Sequence, residues 1–490
     1  MNEQVSLLEP REVWGNFAAL NAVPRPSKKE ERVIQFMLNF GNSLHLETFK
    51  DGVGNVIIRK EATPGMENRQ TVTLQSHLDM VHQKNAETEF DFDTEGICMR
   101  VENDWVRAEG TTLGADNGLG VAAIMALLES TTVPHPALEA LFTIDEETGM
   151  TGAMGLEAGI LKGAILLNLD TEEDDEIDIG CAGGIDVTAS RSYTEETVPD
   201  GFIGYRIGVK GLQGGHSGMD IHKGLANANK LMNRLLFKST ANHGLRIAAL
   251  NGGGLRNAIP RESFAEVVLE TGKARDLERD FKSWATVLKA EFPDKEPGME
   301  LILEPMEIPK NVMGTAVQEQ LLRAVHTAHN GVYAMSTTME DLVETSNNIA
   351  RVEVKEGKIS IGCLARSSVD SAKMELANAL KVVFESGDFQ VRFDGNYPGW
   401  NPNPDSVILR VLETQYEQLF QVSPKVVACH AGLECGILGR NYPHMDMISF
   451  GPTIKGAHSP DERASITSVQ KFWKFLVNIL KHIPEKEKAV

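Results

Sequence analysis

The run GAILLNLD at residues 163–170 is apolar almost throughout and ends in Asp170. A continuous apolar run of this length is typical of a strand that is buried on both faces of a parallel sheet. Other strand patterns alternate with helical ones in the same part of the chain, as in the amphipathic segment EERVIQFMLNFG at residues 30–41. This alternation predicts an α/β fold, in which a mainly parallel sheet lies between helices.

The middle of the chain has a different order of elements. Two polar, turn-rich stretches flank it, ASRSYTEETVPDG at residues 189–201 and NYPGWNPNPDS at residues 396–406. Between them the patterns predict the order β-α-β-β-α-β, followed by the same unit without its first strand. We therefore expect an inserted, two-lobed α+β domain at residues 196–396. The α/β domain would consist of residues 1–195 and 397–490.

Composition excludes several classes of protein. The 490 residues carry a formal net charge of -21, which argues against a nucleic-acid partner and against an anionic membrane surface. The acidic N-terminus has no apolar signal core, and no run of about 18 apolar residues predicts a membrane span. The five cysteines are scattered without a C-x-x-C pair, which argues against disulfides and thiolate zinc sites. We expect a cytoplasmic protein whose metal ligands, if any, are His, Asp and Glu.

Acids and histidines recur at the ends of apolar strands and in glycine-flanked loops. They are His77 and Asp79 in SHLDM, Asp116 in GTTLGADNGLG, Glu146 and Glu147 in FTIDEETG, Asp170 in LLNLD, and His458 in GPTIKGAHSPDE. In open α/β sheets the carboxyl ends of the strands line the ligand crevice. Two histidines and three carboxylates that meet there would suit a pair of zinc ions, and the spare acid of the Glu pair would serve as a general base.

Each of these motifs also has an ordinary structural interpretation. A lone H-x-D is most often a surface pair, an exposed EE is usually solvated, and GADNG is compatible with a tight turn. The acidic run DTEEDDEID beyond residue 170 reads as a solvated surface, and GLQGGHSG lacks the G-K-[ST] ending of a phosphate loop. His82, His135 and His222 have no carboxylate at ligand spacing, so we expect them to be ordinary surface or core residues.

Taken together, the motifs SHLDMV, GTTLGADNG, EETG, NLD and HSPDE resemble, in order and context, the di-zinc peptidase superfamily of aminoacylases, carnosinases and related exopeptidases. The resemblance runs from WGNFAALNAVPRPSKKEERV to the last helix. The segments GCAGGID, GLQGGHSG, LRNAIPRE and HAGLECG are similar to those of a dipeptidase subgroup. The resemblance implies a di-zinc exopeptidase-like catalytic domain interrupted by a lid, the inserted α+β domain.

The same resemblance implies roles for the strand-end residues. His77 and Asp170 would hold one zinc ion, Glu147 and His458 the other, and Asp116 would bridge them, with Co²⁺ or Mn²⁺ as substitutes. Asp79 would brace His77. Glu146 would take a proton from the metal-bridged water as it attacks the peptide carbonyl and pass it to the leaving amine. The peptide bond between Asp116 and Asn117 would be cis.

In the lid, the resemblance implies that His216 polarises the scissile carbonyl and stabilises its oxyanion. Asn257 and Arg366 would bind the substrate, with Arg366 on its terminal carboxylate, and Gly432 would add a backbone contact. The alternative for Arg366 is an ordinary ion pair at a strand end.

The expected function is a zinc-dependent dipeptidase that cleaves unblocked dipeptides, including aminoacyl-histidine. Its partners would be small dipeptides, with no nucleic acid and no membrane, and the chain would form a homodimer. Two alternatives stay open: an N-acyl amino-acid hydrolase on the same scaffold, and a metal-binding assembly protein without catalytic activity.

Overall fold

The structure is a computed structural model that describes residues 2–486. The chain divides into two compact units. The first contains the residues up to Gly180, the segment Trp400–Ala428 and the residues from Leu433 onward. The second contains Cys181–Gly399 and Cys429–Gly432. Each unit has its own large sheet.

An eight-stranded mixed sheet forms the centre of the first unit. Its strands lie in the order Glu47–Lys50, Val56–Lys60, Leu138–Thr143, Val72–His77, Ile165–Asn168, Asp446–Ser449, Glu176–Cys181 and Lys425–Cys429. The four strands from Leu138–Thr143 to Asp446–Ser449 pair in parallel, and the first two strands pair antiparallel. The predicted α/β fold with a parallel centre is therefore confirmed.

The central strands are buried because helices cover the sheet. All six residues of Val72–His77 and all six of Leu138–Thr143 are buried. The helix Ala115–Glu129 contacts Val72–His77 and is buried on nearly all sides, which fits its small and apolar sequence. The other helices of this unit are Asn2–Val5, Arg11–Asn21, Glu31–Ser43, Thr151–Gly155, Val407–Phe420, Glu434–Asn441 and Ile466–Lys481.

A second, smaller sheet of the first unit has four strands. They lie in the order Ile454–Lys455, Arg463–Ser465, Trp105–Ala108 and Met99–Glu102, and neighbours pair antiparallel. This sheet joins a segment near residue 100 to one near residue 460.

The large sheet of the second unit is antiparallel throughout. Its strands lie in the order Glu300–Met306, Phe202–Lys210, Ser263–Glu270, Arg246–Gly253, Val343–Lys355, Lys358–Ser367, Gly183–Ser192 and Gln390–Tyr397, and Gly331–Met335 also pairs with Val343–Lys355. Shorter pairs are Glu195–Thr197 with Asn311–Met313 and Gly215–His216 with Ala258–Ile259. The helices are Ala228–His243, Ala274–Glu291, Thr315–Thr327 and Asp370–Glu385, with short 3₁₀ turns at Ile221–Lys223 and Thr271–Lys273.

The two halves of this sheet are mirror images in strand order. In the first half, the four strands of the β-α-β-β-α-β unit lie in the order fourth, first, third, second. In the second half, the order is second, third, first, fourth if Gly183–Ser192 is counted as the first strand. The strand missing from the second predicted unit is thus supplied from an earlier part of the chain.

Because of this strand, the second unit begins earlier in the chain than the predicted inserted domain does. Residues 183–192 fall within the first catalytic segment, residues 1–195, of the predicted domain division. In the structure, Gly183–Ser192 pairs with Lys358–Ser367 and Gln390–Tyr397, so it belongs to the second unit. Its hydrogen-bonded partners lie about 165 to 215 residues later in the chain, and the local pattern does not reveal them.

Residues 2–486 contain neither a helix that could cross a membrane nor a disulfide. None of the helices in this range has both the length and the apolar character that crossing a bilayer requires. All five cysteines lie in the same range, and none of them is part of a disulfide.

Candidate metal centre

The strand ends of the first unit bring the predicted residues together. His77 is the last residue of Val72–His77. On the two neighbouring parallel strands, Glu146 follows three residues after Thr143, and Asp170 follows two residues after Asn168. Because parallel strands end at the same edge of a sheet, these side chains meet there, as the sequence predicted.

Asp116 lies between the two histidines. His77 Nε2 is 3.2 Å from Asp116 Oδ1, and His458 Nε2 is 3.1 Å from Asp116 Oδ2. The peptide bond between Asp116 and Asn117 is cis, which confirms that prediction. Each oxygen of one carboxylate therefore faces a different imidazole.

A further carboxylate lies beside each histidine. Asp170 Oδ1 is 3.6 Å from His77 Nε2, and Glu147 Oε2 is 3.0 Å from His458 Nε2. Within residues 2–486, three groups have ligand atoms that all lie within 4.8 Å of one another. These groups are His77–Asp116–Asp170, His77–Glu146–Glu147 and Asp116–Glu147–His458.

The residues fit divalent metal. Imidazole nitrogens with carboxylate oxygens are a donor set that suits zinc and other divalent metals. Glu147 Oε1 is buried and has no hydrogen-bond partner among the described residues, which is costly unless another group engages it. Asp116 presents one oxygen to each side, the arrangement that a bridging ligand needs.

The charges at this edge shift several pKa values in opposite directions. Burial alone would lower the pKa of His77, but the carboxylates of Asp170 and Asp116 raise it well above its ordinary value. Hydrogen bonds with Asp116 and Glu147 raise the pKa of His458 to about 11. Burial alone would raise the pKa of Asp116, but the two imidazoles lower it. The ring nitrogens and carboxylates thus attract one another strongly.

Glu146 differs from the other acids of the cluster. Burial raises the pKa of Glu146 well above its ordinary value, and the charges of Asp170 and Glu434 act in the same direction against that of His77. Its Oε2 atom is 4.0 Å from His77 Nε2. A carboxyl group with raised proton affinity at such a site is suited to proton transfer.

Asp79 contacts the segment Glu146–Glu147 as well as His77. It is fully buried, and its Oδ1 is 3.4 Å from His77 Nδ1. Its carboxylate also accepts hydrogen bonds from the backbone N–H groups of Glu146 at 3.0 Å and Glu147 at 3.3 Å, and from the Ser27 hydroxyl at 2.8 Å. The Asp79 backbone carbonyl also lies 3.2 Å from His77 Nδ1. Asp79 therefore orients the imidazole through its backbone and its side chain, and the side chain holds the backbone of both glutamates.

Two buried groups near this edge escaped the sequence analysis. Arg25 is 1% exposed and donates to the backbone carbonyls of Leu78, Asp79 and Gly114. Glu462 is 2% exposed and accepts from backbone N–H groups of the loop that ends at Asp116. HSPDE contains Glu462, but local spacing does not show that its partners lie about 350 residues away.

Glu434 forms a buried network below the strand ends. Gln75 Nε2 and Thr143 Oγ1 each donate to its Oε2 at 2.6 Å, and Asn168 Nδ2 donates to Gln75 Oε1 at 2.6 Å. The network joins three adjacent strands just before His77, Glu146 and Asp170. Burial raises the pKa of Glu434 to about 8. The segment HAGLECG indicated only Gly432 as a functional residue.

In the second unit, His216 has a defined tautomer when neutral. Its Nδ1 accepts hydrogen bonds from the backbone N–H groups of Gly218 at 3.2 Å and Met219 at 3.0 Å. The proton of the neutral ring is therefore on Nε2. His216 pairs with Ala258 in a short strand, and the carbonyl of Asn257 accepts from Ser217 N at 2.7 Å. Asn257 itself is exposed.

Arg366 is a buried cation of the second unit. It is 4% exposed and donates to the Tyr397 hydroxyl at 2.9 Å, whereas its Nε has no partner among residues 2–486. In the same range, Arg366 forms no ion pair within 4.0 Å; Asp186, on which its charge acts, pairs instead with Arg256 Nε at 3.2 Å. Gly432 is half-buried in the segment Cys429–Gly432.

The three histidines that were expected to be ordinary surface or core residues lie in the core or at the surface. His135 is fully buried, with Nδ1 at 2.7 Å from the Pro136 carbonyl, and His82 and His222 are exposed. His430 of the second unit escaped notice: its Nε2 is 2.8 Å from Ser346 Oγ. Burial and the charge of Arg366 lower the pKa of His430 to about 3, so this ring is neutral near pH 7.

The parallel strands of this mixed sheet end at one histidine and several carboxylates, and a loop brings a second histidine to them. This arrangement is typical of a class, the metal-dependent hydrolases of the α/β type. Residues 73–482 match the peptidase family M20/M25/M40, and the chain belongs to this family. It is therefore a hydrolase that acts on peptide bonds, and family membership implies that it binds divalent metal.

Individual relatives cover the whole chain. The cytosol non-specific dipeptidase of Escherichia coli K12 is 41% identical over 483 residues, which are 99% of this chain and 100% of the relative. The crystal structure of aminoacylhistidine dipeptidase from Vibrio alginolyticus is 44% identical, with a TM-score of 0.91 over 99% of this chain and 100% of that one. Aminopeptidase PepT from Bacillus cereus, at 15% identity and a TM-score of 0.57 over 97% of this chain and 99% of that one, shares the fold.

Proposed function

We propose that the protein is a zinc-dependent dipeptidase that cleaves unblocked dipeptides, including aminoacyl-histidine. The observation that carries the proposal is Asp116, whose two oxygens face the imidazoles of His77 and His458 at 3.2 and 3.1 Å. The names of the two full-length relatives, a non-specific dipeptidase and an aminoacylhistidine dipeptidase, support the substrate class.

Two zinc ions would be held by five residues. His77 and Asp170 are assigned to one ion, Glu147 and His458 to the other, and Asp116 to both; Co²⁺ or Mn²⁺ can replace zinc in such a donor set. When bound, a metal pair of this kind polarises the scissile carbonyl and makes water a better nucleophile at neutral pH. Asp79 keeps His77 oriented through its ring Nδ1.

Glu146 is assigned as the general base. It takes a proton from the attacking water at its carboxylate and passes it to the nitrogen of the departing amino acid. Its raised pKa supports this role, because a base must hold the proton long enough to deliver it. The backbone N–H of Glu146 is tied to Asp79, so the carboxylate approaches from a fixed segment.

We assign the contacts with the substrate to residues of the second unit. His216 would donate its Nε2 proton to the scissile carbonyl oxygen as negative charge develops there, which its tautomer supports. Arg366 would bind the terminal carboxylate, which its burial without an acidic partner supports. Asn257 and Gly432 would add polar contacts to the same end of the substrate.

The proposal extends to the organisation of the enzyme. The first unit is assigned as the catalytic domain and the second as the inserted lid. The name of the Escherichia coli relative supports a cytoplasmic location. We propose that the chain forms a homodimer. Light scattering on the purified protein tests this directly.

The main experiment measures zinc-dependent hydrolysis of a dipeptide and of its N-acetyl analogue. We expect that chelation abolishes hydrolysis of the free dipeptide, that added zinc restores it, and that the N-acetyl analogue is a poor substrate. Preference for the analogue would favour the N-acyl amino-acid hydrolase. Zinc binding without turnover of either compound would contradict the proposed substrate class. Full activity of metal-free protein would contradict the proposed dependence on zinc.

A further inference from the structure

Glu462 accepts hydrogen bonds from four consecutive backbone N–H groups. Its Oε2 accepts from Leu113 at 2.7 Å and Gly114 at 3.0 Å, and its Oε1 accepts from Ala115 at 2.7 Å and Asp116 at 3.2 Å. Such hydrogen bonds to a charged acceptor are stronger than those between neutral groups. One side chain therefore determines the path of the loop at residues 113–116.

The other side of this loop is held by Arg25. Gly114 donates its N–H to Glu462 and accepts at its carbonyl from Arg25 Nη2 at 2.5 Å. Gly114 has φ 69°, and a Cβ there would lie 2.6 Å from Arg25 Nη2, so glycine is required by conformation and by space. The loop is clamped between a buried carboxylate and a buried guanidinium.

Glu462 and His458 lie in one short loop. Glu462 N donates to the Ser459 carbonyl at 3.0 Å, which closes a turn that begins one residue after His458. The Ser459 hydroxyl donates to the Gly456 carbonyl at 2.7 Å, which closes the turn on its other side. A displacement of Glu462 therefore displaces His458 relative to Asp116.

We propose that Glu462 is a positioning residue that sets the separation of Asp116 and His458, and thereby the affinity of the ion assigned to Asp116, Glu147 and His458. This inference rests on the proposed function. The ion assigned to His77, Asp116 and Asp170 depends on it less. His77 ends one buried strand and Asp170 follows another, and Asn117 Nδ2 donates to Asp170.

The test compares Glu462→Gln with Glu139→Gln. Glu139 is also 2% exposed and accepts two consecutive backbone N–H groups, from Lys162 at 2.7 Å and Gly163 at 2.8 Å. It lies on Leu138–Thr143, at the opposite end of the strand from the metal cluster. It therefore controls for the loss of a buried carboxylate that holds a loop.

The measurement is the dissociation constant of each ion in metal-buffered solution, together with the visible absorption of the Co²⁺-loaded protein. Outer-shell changes typically reduce metal affinity by about 10–100-fold, and we expect a loss of this size for one ion in Glu462→Gln. We expect the other ion to be retained, the Co²⁺ spectrum to change, and Glu139→Gln to bind both ions as the wild type does.

Two results would overturn the inference. One is a Glu462→Gln protein that binds both ions with wild-type affinity, and the other is a loss equal to that in Glu139→Gln. If Glu462→Gln does not fold, Glu462→Asp, which keeps the charge but is one methylene shorter, is judged by the same criteria. Wild-type protein that binds fewer than two ions would instead overturn the proposed function, and this inference with it.

Discussion

The carboxylate of Asp79 accepts a hydrogen bond from the backbone N–H of Glu146 at 3.0 Å. The same side chain lies 3.4 Å from the ring of His77, so the assigned base and an assigned metal ligand share one buried support. A change at Asp79 therefore acts on both.

Asp79→Asn tests this shared support. The Asn amide would direct an N–H group at partners that donate, so one contact with the Glu146–Glu147 segment is lost and the orientation of His77 is weakened. We expect metal affinity to fall by about 10–100-fold and kcat to remain low when metal is saturating. Normal kcat at saturating metal would show that Asp79 supports His77 alone.

Glu146→Gln separates proton transfer from metal binding. Because Glu146 is assigned as base and not as ligand, the variant should retain both ions and lose about 10²–10⁴-fold in kcat. Glu147→Ala is the matched variant, and it should instead lose an ion, as measured by metal analysis after dialysis. Near-normal turnover by Glu146→Gln would exclude its assignment as base.

Arg366→Ala should impair dipeptides far more than dipeptide amides. A hydrogen bond to a charged group contributes about 1.5–3 kcal/mol, so kcat/KM for a dipeptide should fall by about ten- to a hundredfold. Converting the substrate to its amide removes the same interaction, so the two losses should not add. The measurement is kcat/KM for a dipeptide and its amide on both proteins.

The control for this cycle is Arg351→Ala. Arg351 pairs with Glu353 in a partly exposed ion pair of the same sheet, and such pairs contribute little. It should leave both substrates unaffected. Additive losses for Arg366→Ala and the amide would show that Arg366 does not bind the terminal carboxylate.

Asp178 provides a test of pH-dependent stability. Burial raises the pKa of Asp178 from 3.8 to about 7, against a hydrogen bond from Thr171. Between these values the folded state binds more protons than the unfolded state, so this group lowers stability as pH rises through that range. Since each pKa unit corresponds to about 1.4 kcal/mol, the effect is on the order of a few kcal/mol.

Asp178→Asn removes this titration and keeps an oxygen for Thr171. We expect its free energy of unfolding to rise relative to wild type between pH 4 and pH 7, measured by urea denaturation of metal-free proteins. Parallel pH profiles for the two proteins would indicate that Asp178 has an ordinary pKa.

The strand ends were predictable because an apolar run and the polar residue that ends it are adjacent in the sequence. GAILLNLD predicts a buried strand, and the polar residues that end such strands must meet at one edge if the strands are parallel. The order of elements in the second unit was predictable for the same reason, since helical and strand periodicities are read from neighbouring residues.

The features that only the tertiary structure decided are contacts between residues that are distant along the chain. Gly183–Ser192 completes a sheet whose adjacent strands begin at residues 358 and 390, and Glu462 holds a loop at residues 113–116. The sequence by itself determined which segments form strands and which side chains end them, because those properties follow from local periodicity. The supports of the site were decided only by folding, because a buried carboxylate or guanidinium takes whichever backbone groups the packed chain brings to it.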